Sequence, residues 1–115
     1  MTAKRLNPKD EVQRVALAKA SSFTRGEAVL YRMGNIVHIS MHFYNSSNVS
    51  TGTALFETIP SELRPPYGYG IPAMMTVESG SVNAYYVTVN ANGTITQSLS
   101  STTRAIFASG TYMLA

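Results

Sequence analysis

IVHISMHFY, residues 36–44, alternates without a break: Val37, Ile39, Met41 and Phe43 fall on one side of an extended chain, and His38, Ser40 and His42 on the other. A period of two is the mark of a strand with one face buried. Directly before it stand AVLYR (28–32) and the turn residues Met33-Gly34-Asn35, where Gly and Asn tolerate positive φ, so 28–44 reads as a β-hairpin. Two registers are open. A three-residue turn ending in left-handed Asn35 puts Val29 and Tyr31 with the apolar set, and a two-residue Gly-Asn turn puts Leu30 there. Either one leaves apolar side chains on the second face, which implies that this face is covered as well.

Outward from the hairpin the strand pattern continues. NSSNVSTG (45–52) is a polar loop and 53–59 a short strand. Residues 60–72 hold Pro60, Pro65, Pro66 and Pro72 with Gly68 and Gly70, and read as an extended surface loop that no ladder crosses. Strands are expected over 73–78, 84–90, 94–99, 105–108 and 111–114, with Ser109-Gly110 as a bend. Around Ala91-Asn92-Gly93 parity selects a three-residue turn with Gly93 left-handed, because Tyr85, Val87 and Val89 then share a face with Ile95 and Leu99. Val37, Ile39, Met41, Phe43, Leu55, Val87, Val89 and Ile95 are the expected core. Six to eight short strands at this spacing predict a mainly β, antiparallel β-sandwich of jelly-roll type.

The N-terminal stretch reads differently. Asn7-Pro8 is a helix start, Asp10 and Glu11 suit the positive end of the dipole, and Ala and Leu follow, which predicts a short α-helix from Pro8 to about Ala20. Its thin stripe of Val12, Val15 and Ala16 is the candidate assembly or anchor surface, since a helix this short needs something to lie against. The chain thus divides into a helical stem or anchor over 1–26 and a β head over 27–115.

The 115 residues carry a net charge of +3, with 44% hydrophobic and 13% charged residues and no cysteine. That is room for one core, with neither a disulfide framework nor a thiol nucleophile. The charge is uneven: residues 1–32 hold seven Lys/Arg against three acids, and 33–115 hold Arg64 and Arg104 against Glu57, Glu62 and Glu78. Only Phe23 and Tyr31 interleave with the basic residues, so a solvated or partner-facing surface is expected there and no nucleic-acid site. No apolar run approaches the roughly 18 residues of a membrane span, so no membrane insertion is expected. His38 and His42 on a strand sit roughly 13 Å apart, too far to share an ion, so no metal is expected, and no cofactor. With no nucleophile elbow, phosphate loop or evident carboxylate pair, the sequence argues against an enzyme. The aromatic loops are more suggestive. Tyr44, Asn45 and Asn48 border one loop, and Arg64, Tyr67 and Tyr69 stand in another; rigid aromatics with amides and hydroxyls suit recognition of a saccharide.

Four stretches in order, YRMGNIVHISMHF, TGTALFETIPSELRPPYGYG, YYVTVNANGTITQSL and ASGTYMLA, resemble the β-rich head domains of tailed-bacteriophage tail fibres and receptor-binding baseplate proteins. The likeness spans about residues 27–115; Ile59 departs from it, standing where the family usually has Leu before Pro60. It implies a homotrimeric head on an N-terminal stem, joined to other virion proteins through that stem, located on the tail or baseplate and attaching to host-surface saccharide. The chain is short for a tail fibre. The alternative it implies is a structural protein of the virion, a head fibre, decoration or connector on the capsid surface, with no receptor role.

Overall fold

Alternating side chains compel a sheet here, and the sheet needs something to lie over its apolar face. In the computed structural model, which describes residues 12–20, 23–50, 52–77, 82–97 and 103–114, that need is met by curvature. Among the described residues there are seven strands: β1 (Gln13–Ala18), β2 (Arg25–Met33), β3 (Ile36–Val49), β4 (Tyr69–Val77), β5 (Val82–Val89), β6 (Ile95–Gln97) and β7 (Thr103–Met113). All belong to one antiparallel sheet in the order β1-β2-β3-β7-β4-β5-β6, curled into a half-barrel. Two three-stranded meanders, β1-β2-β3 and β4-β5-β6, are thus joined side by side through β7.

Residues 52–59 run across the open side and tie the two edge strands together. The Leu55 carbonyl accepts from the Ala20 N–H, while the Leu55 N–H donates to Ile95 O at 2.9 Å. Glu57 N–H reaches Ala18 O, and the N–H groups of Gly52 and Ile59 reach Gln97 O and Gly93 O. The segment drops Leu55, Phe56 and Ile59 into the concave face, followed by Leu63 on a 3-10 turn (Ser61–Leu63). There they meet the expected core: Val37, Ile39, Met41, Phe43, Leu55, Val87, Val89 and Ile95 are all buried. Phe43 is its aromatic centre, edge-on to Phe23 at 5.0 Å and to Phe56 at 5.9 Å.

The short N-terminal helix is not seen. Residues 13–18 form β1, paired antiparallel with β2 from Gln13↔Arg32 to Ala18↔Glu27; Pro8 to Glu11 lie outside the described residues. Val15 and Leu17 alternate with Arg14 and Ala16, and burying Leu17 beside a full ladder outweighs the few tenths of a kcal/mol per residue by which Ala and Leu favour helix. Of the expected anchor stripe, Val15 packs against the core, while Val12 and Ala16 are exposed. The 60–72 loop is also shorter than expected: β4 starts at Tyr69 and includes Pro72. Proline is tolerated because the ladder with β7 begins one residue later, at Ala73↔Ala108, so no donor is missed. Likewise 105–108 and 111–114 are parts of one strand, β7, with Gly110 straight in the ladder opposite Ile39.

Both hairpin turns are defined. Met33 pairs with Ile36, and Gly34 has φ +60° while no non-glycine residue among those described has positive φ, so the two-residue turn holds and Leu30 is the buried one. Around 91–93 the three-residue turn forms as expected: Asn90 N–H bonds Thr94 O and Gly93 has φ +88°. A side chain at Gly93 would meet Arg64 Nε at 2.5 Å and Ile59 O at 2.8 Å, so the turn is wedged against the crossing segment. Leu99 lies outside the described residues; the next inward position, Gln97, is a buried amide whose Nε2 donates to Val49 O and whose Oε1 has no partner.

Two outcomes follow. Circular dichroism should give a β spectrum with almost no helical component, and Phe43→Ala should lower the free energy of unfolding by about 3–5 kcal/mol in urea titration. Alkali should weaken the fold through Tyr112, whose hydroxyl donates to Leu63 O at 2.6 Å. Burial pushes its pKa from the ordinary 10 up to about 12. The unfolded chain therefore loses this proton first as pH rises. Stability from this group is whole below about pH 10 and falls by up to about 2 kcal/mol between pH 10 and 12. Tyr112→Phe should flatten that slope, at a cost of about 1–3 kcal/mol at neutral pH from the orphaned Leu63 carbonyl.

Candidate functional site

The six recognition candidates do not form one site. Tyr44 and Asn45 lie toward the far end of β3, whereas Tyr69 packs against Tyr112, which pairs with Val37 near its start. Seven residues of strand separate Val37 from Tyr44, roughly 23 Å at the rise of an extended chain.

At the β3 end the polar groups are already engaged. Asn45 is buried, and its Oδ1 accepts from both the backbone N–H and the hydroxyl of Thr24 at 3.1 Å, which fixes the entry into β2. Tyr44 carries the Arg25 guanidinium over its ring at 4.8 Å, so one aromatic face is covered by a cation. The side chain of Asn48 lies outside the described residues.

At the other end Arg64, half-buried, is likewise engaged. Its Nε donates to Ile59 O at 2.7 Å, bracing the crossing segment beside the Gly93 turn. Tyr67 and Tyr69 are different. Their rings stack with centroids 5.0 Å apart and planes 10° apart, and the Tyr69 hydroxyl donates to that of Tyr67 at 3.3 Å. That bond, with some burial and the neighbouring phenol, raises the Tyr69 pKa. Tyr69 packs on the core, and Tyr67 lies above it with 62% of its surface exposed. The result is a flat aromatic plate on a rigid base, a surface on which the apolar face of a sugar ring can stack.

A second surface was visible in the sequence only as leftover apolar residues. Met74, Tyr86 and Phe107 point away from the core, and a groove of about 310 Å³ runs there, lined by Pro72, Met74, Ala84, Tyr85, Phe107 and Ser109. Tyr85 and Tyr86 stack at 4.5 Å at its border, and their hydroxyl contact raises the Tyr85 pKa. The signal was strand β7 itself, in which Phe107 and Met113 alternate with Ile106, Ala108 and Tyr112, making both parities apolar. His38 and His42 face the same way, with His38 Nε2 3.3 Å from the Ser109 hydroxyl. Among the described residues no three His, Cys, Asp or Glu side chains converge as a metal-binding group.

Searches against protein-family models and against curated proteins find no match. The two surfaces are therefore read on their own chemistry. Because Arg64 acts on the backbone, Arg64→Ala should lower the melting temperature, with about 1.5–3 kcal/mol lost from a charge-assisted bond to a partly buried carbonyl. Differential scanning calorimetry would detect this; an unchanged melting temperature would return Arg64 to the list of surface recognition residues.

Proposed function

We propose that this protein is a non-enzymatic attachment module of a phage virion, carried on the tail fibre or baseplate, that holds host-surface saccharide on the Tyr67–Tyr69 plate. The observation that carries the reading is the stacked pair itself: an exposed ring backed by a second ring that is anchored in the core. Such a plate loses little conformational freedom on binding, since its orientation is set before the ligand arrives. The order of motifs over 27–115 that resembles tail-fibre and baseplate heads supplies the virion context. A single stacking site of this kind binds weakly, and a homotrimer would raise the effective affinity by engaging a repetitive surface polymer at several points. Other virion proteins would be met through the N-terminal residues. Copies of the half-barrel packed together would also supply the second layer of a sandwich-like head.

The alternative is a structural protein of the capsid surface with no receptor role. The apolar outward face favours it, because that face suits assembly whether or not a glycan is bound.

The two readings separate on one substitution. Tyr67→Ala should reduce binding to arrayed bacterial surface polysaccharides at least about ten-fold, a loss of about 1.4 kcal/mol, and leave the melting temperature nearly unchanged because the ring is exposed. Tyr69→Ala should lower both. Wild-type protein that binds no bacterial glycan, or Tyr67→Ala that binds like wild type, would leave the structural role in place of the attachment role.

A further inference from the structure

The outward face of the sheet is a surface that saccharide stacking does not use. Along β3, β7, β4 and β5 the described outward positions hold no carboxylate or ammonium, and the guanidinium on these strands, that of exposed Arg104, stands at the register shift near the start of β7. The other charged outward side chains of the sheet, Arg14, Arg25 and Glu27, stand on β1 and β2. The uncharged area is instead studded with large apolar groups, and Phe107 at its centre is 62% exposed. Of the eleven exposed large apolar side chains among the described residues, six stand outward on these four strands (Ile36, Met74, Val82, Tyr86, Phe107 and Met113), and Tyr31 and Met33 continue the patch onto the adjoining end of β2, making eight. At roughly 200 Å² for a large side chain, about half exposed, they offer on the order of 800 Å² of apolar surface. A monomer's largest patch is usually about 300–600 Å², and one partner's share of a stable interface is about 800 Å².

The scarcity of charge narrows the occupant. A nucleic acid or an anionic membrane would need cations on this face, and a charged protein partner would need complementary charge. A second copy of the same chain needs neither, because two faces that are uncharged around Phe107 and Met74 meet without like-charge repulsion. The groove between Met74 and Phe107 also leaves space into which an apolar side chain of the other copy can insert. We infer that the outward face of β3, β7, β4 and β5, centred on Phe107 and Met74, is the surface through which copies of this chain associate. The inference rests on the multivalent reading above and names the contact that would build the multimer.

Sedimentation equilibrium of the full chain across the micromolar range tests it, alongside Phe107→Asp and Met74→Lys. Both side chains are half-exposed and outward, so circular dichroism of the variants should match wild type. The wild type should self-associate, and each variant should weaken association at least about ten-fold. A monomeric wild type overturns the inference, as does association that survives both substitutions. A monomer that cosediments with phosphatidylcholine–phosphatidylglycerol vesicles, and loses them on Phe107→Asp, would make a lipid surface the occupant instead. Should the variants fold poorly, peroxide oxidation of wild-type Met74 and Met113 provides the readout: protection that grows with protein concentration supports the contact, and uniform oxidation refutes it. Glycan binding is scored separately. A monomer that binds glycan defeats only this inference, and a multimer that binds none defeats only the attachment reading.

Discussion

Strand β7 pairs on both sides at once, with β3 from Ile36↔Met113 through Tyr44↔Ala105 and with β4 from Ala73↔Ala108 through Thr76↔Ala105. Among the described residues no other ladder joins the two meanders. Each meander alone has three strands and one apolar face with no lid, and only when β7 aligns them do Leu30, Ile39, Ile106, Ile71 and Val87 face a common interior. The pairing is also distant in sequence, so much of the sheet's organisation waits on a contact between residues far apart along the chain. Sheets of this kind fold more slowly than those built from local hairpins.

How much of this was legible depends on whether one face or two carried a signal. The second strand of the first hairpin, with its polar and apolar positions cleanly separated, could be read residue by residue. The three-residue turn at 91–93 could too, because only one register keeps Val87, Val89 and Ile95 together. The turn at 34–35 could not, since Val29, Leu30 and Tyr31 are apolar on both parities; the buried Leu30 settles it only in three dimensions. The N-terminal stretch misled for a related reason. Its alanines and leucine favour helix locally, yet the same residues alternate well enough to serve as a strand once β2 is there to receive them. Pro72 concealed the start of β4, because a proline in a ladder is harmless where one neighbour has not yet begun to pair, and no local rule reveals that.

The site was legible as chemistry and not as geometry. Tyr, Asn and Arg beside polar loops are what recognition uses, but the same groups serve a small β fold as internal fasteners. Asn45 closes the approach to β2, and Arg64 braces the crossing segment, so two of the named candidates are spent on backbone groups. Tyr67 and Tyr69 stand apart only because the bend at Pro66–Tyr67, just before β4, lays one ring over the other. The outward apolar face was foreshadowed by the hairpin's second face and completed by β7 and β4, which meet it only after folding.

The segment over 52–59 has one more consequence, for what the protein avoids. A sheet edge with free backbone groups is a template on which stray strands add, and such addition leads to aggregates. Here the carbonyls of Gly93, Ile95 and Gln97 along the outer side of β6 and its turn all accept from that segment, and Ala18 and Ala20 at the end of β1 are bonded to it as well. One stretch of irregular chain therefore covers the outward carbonyls of β6 and part of the β1 side. Recruitment through the backbone is closed off there, and encounters with other molecules are left to side chains, which can discriminate.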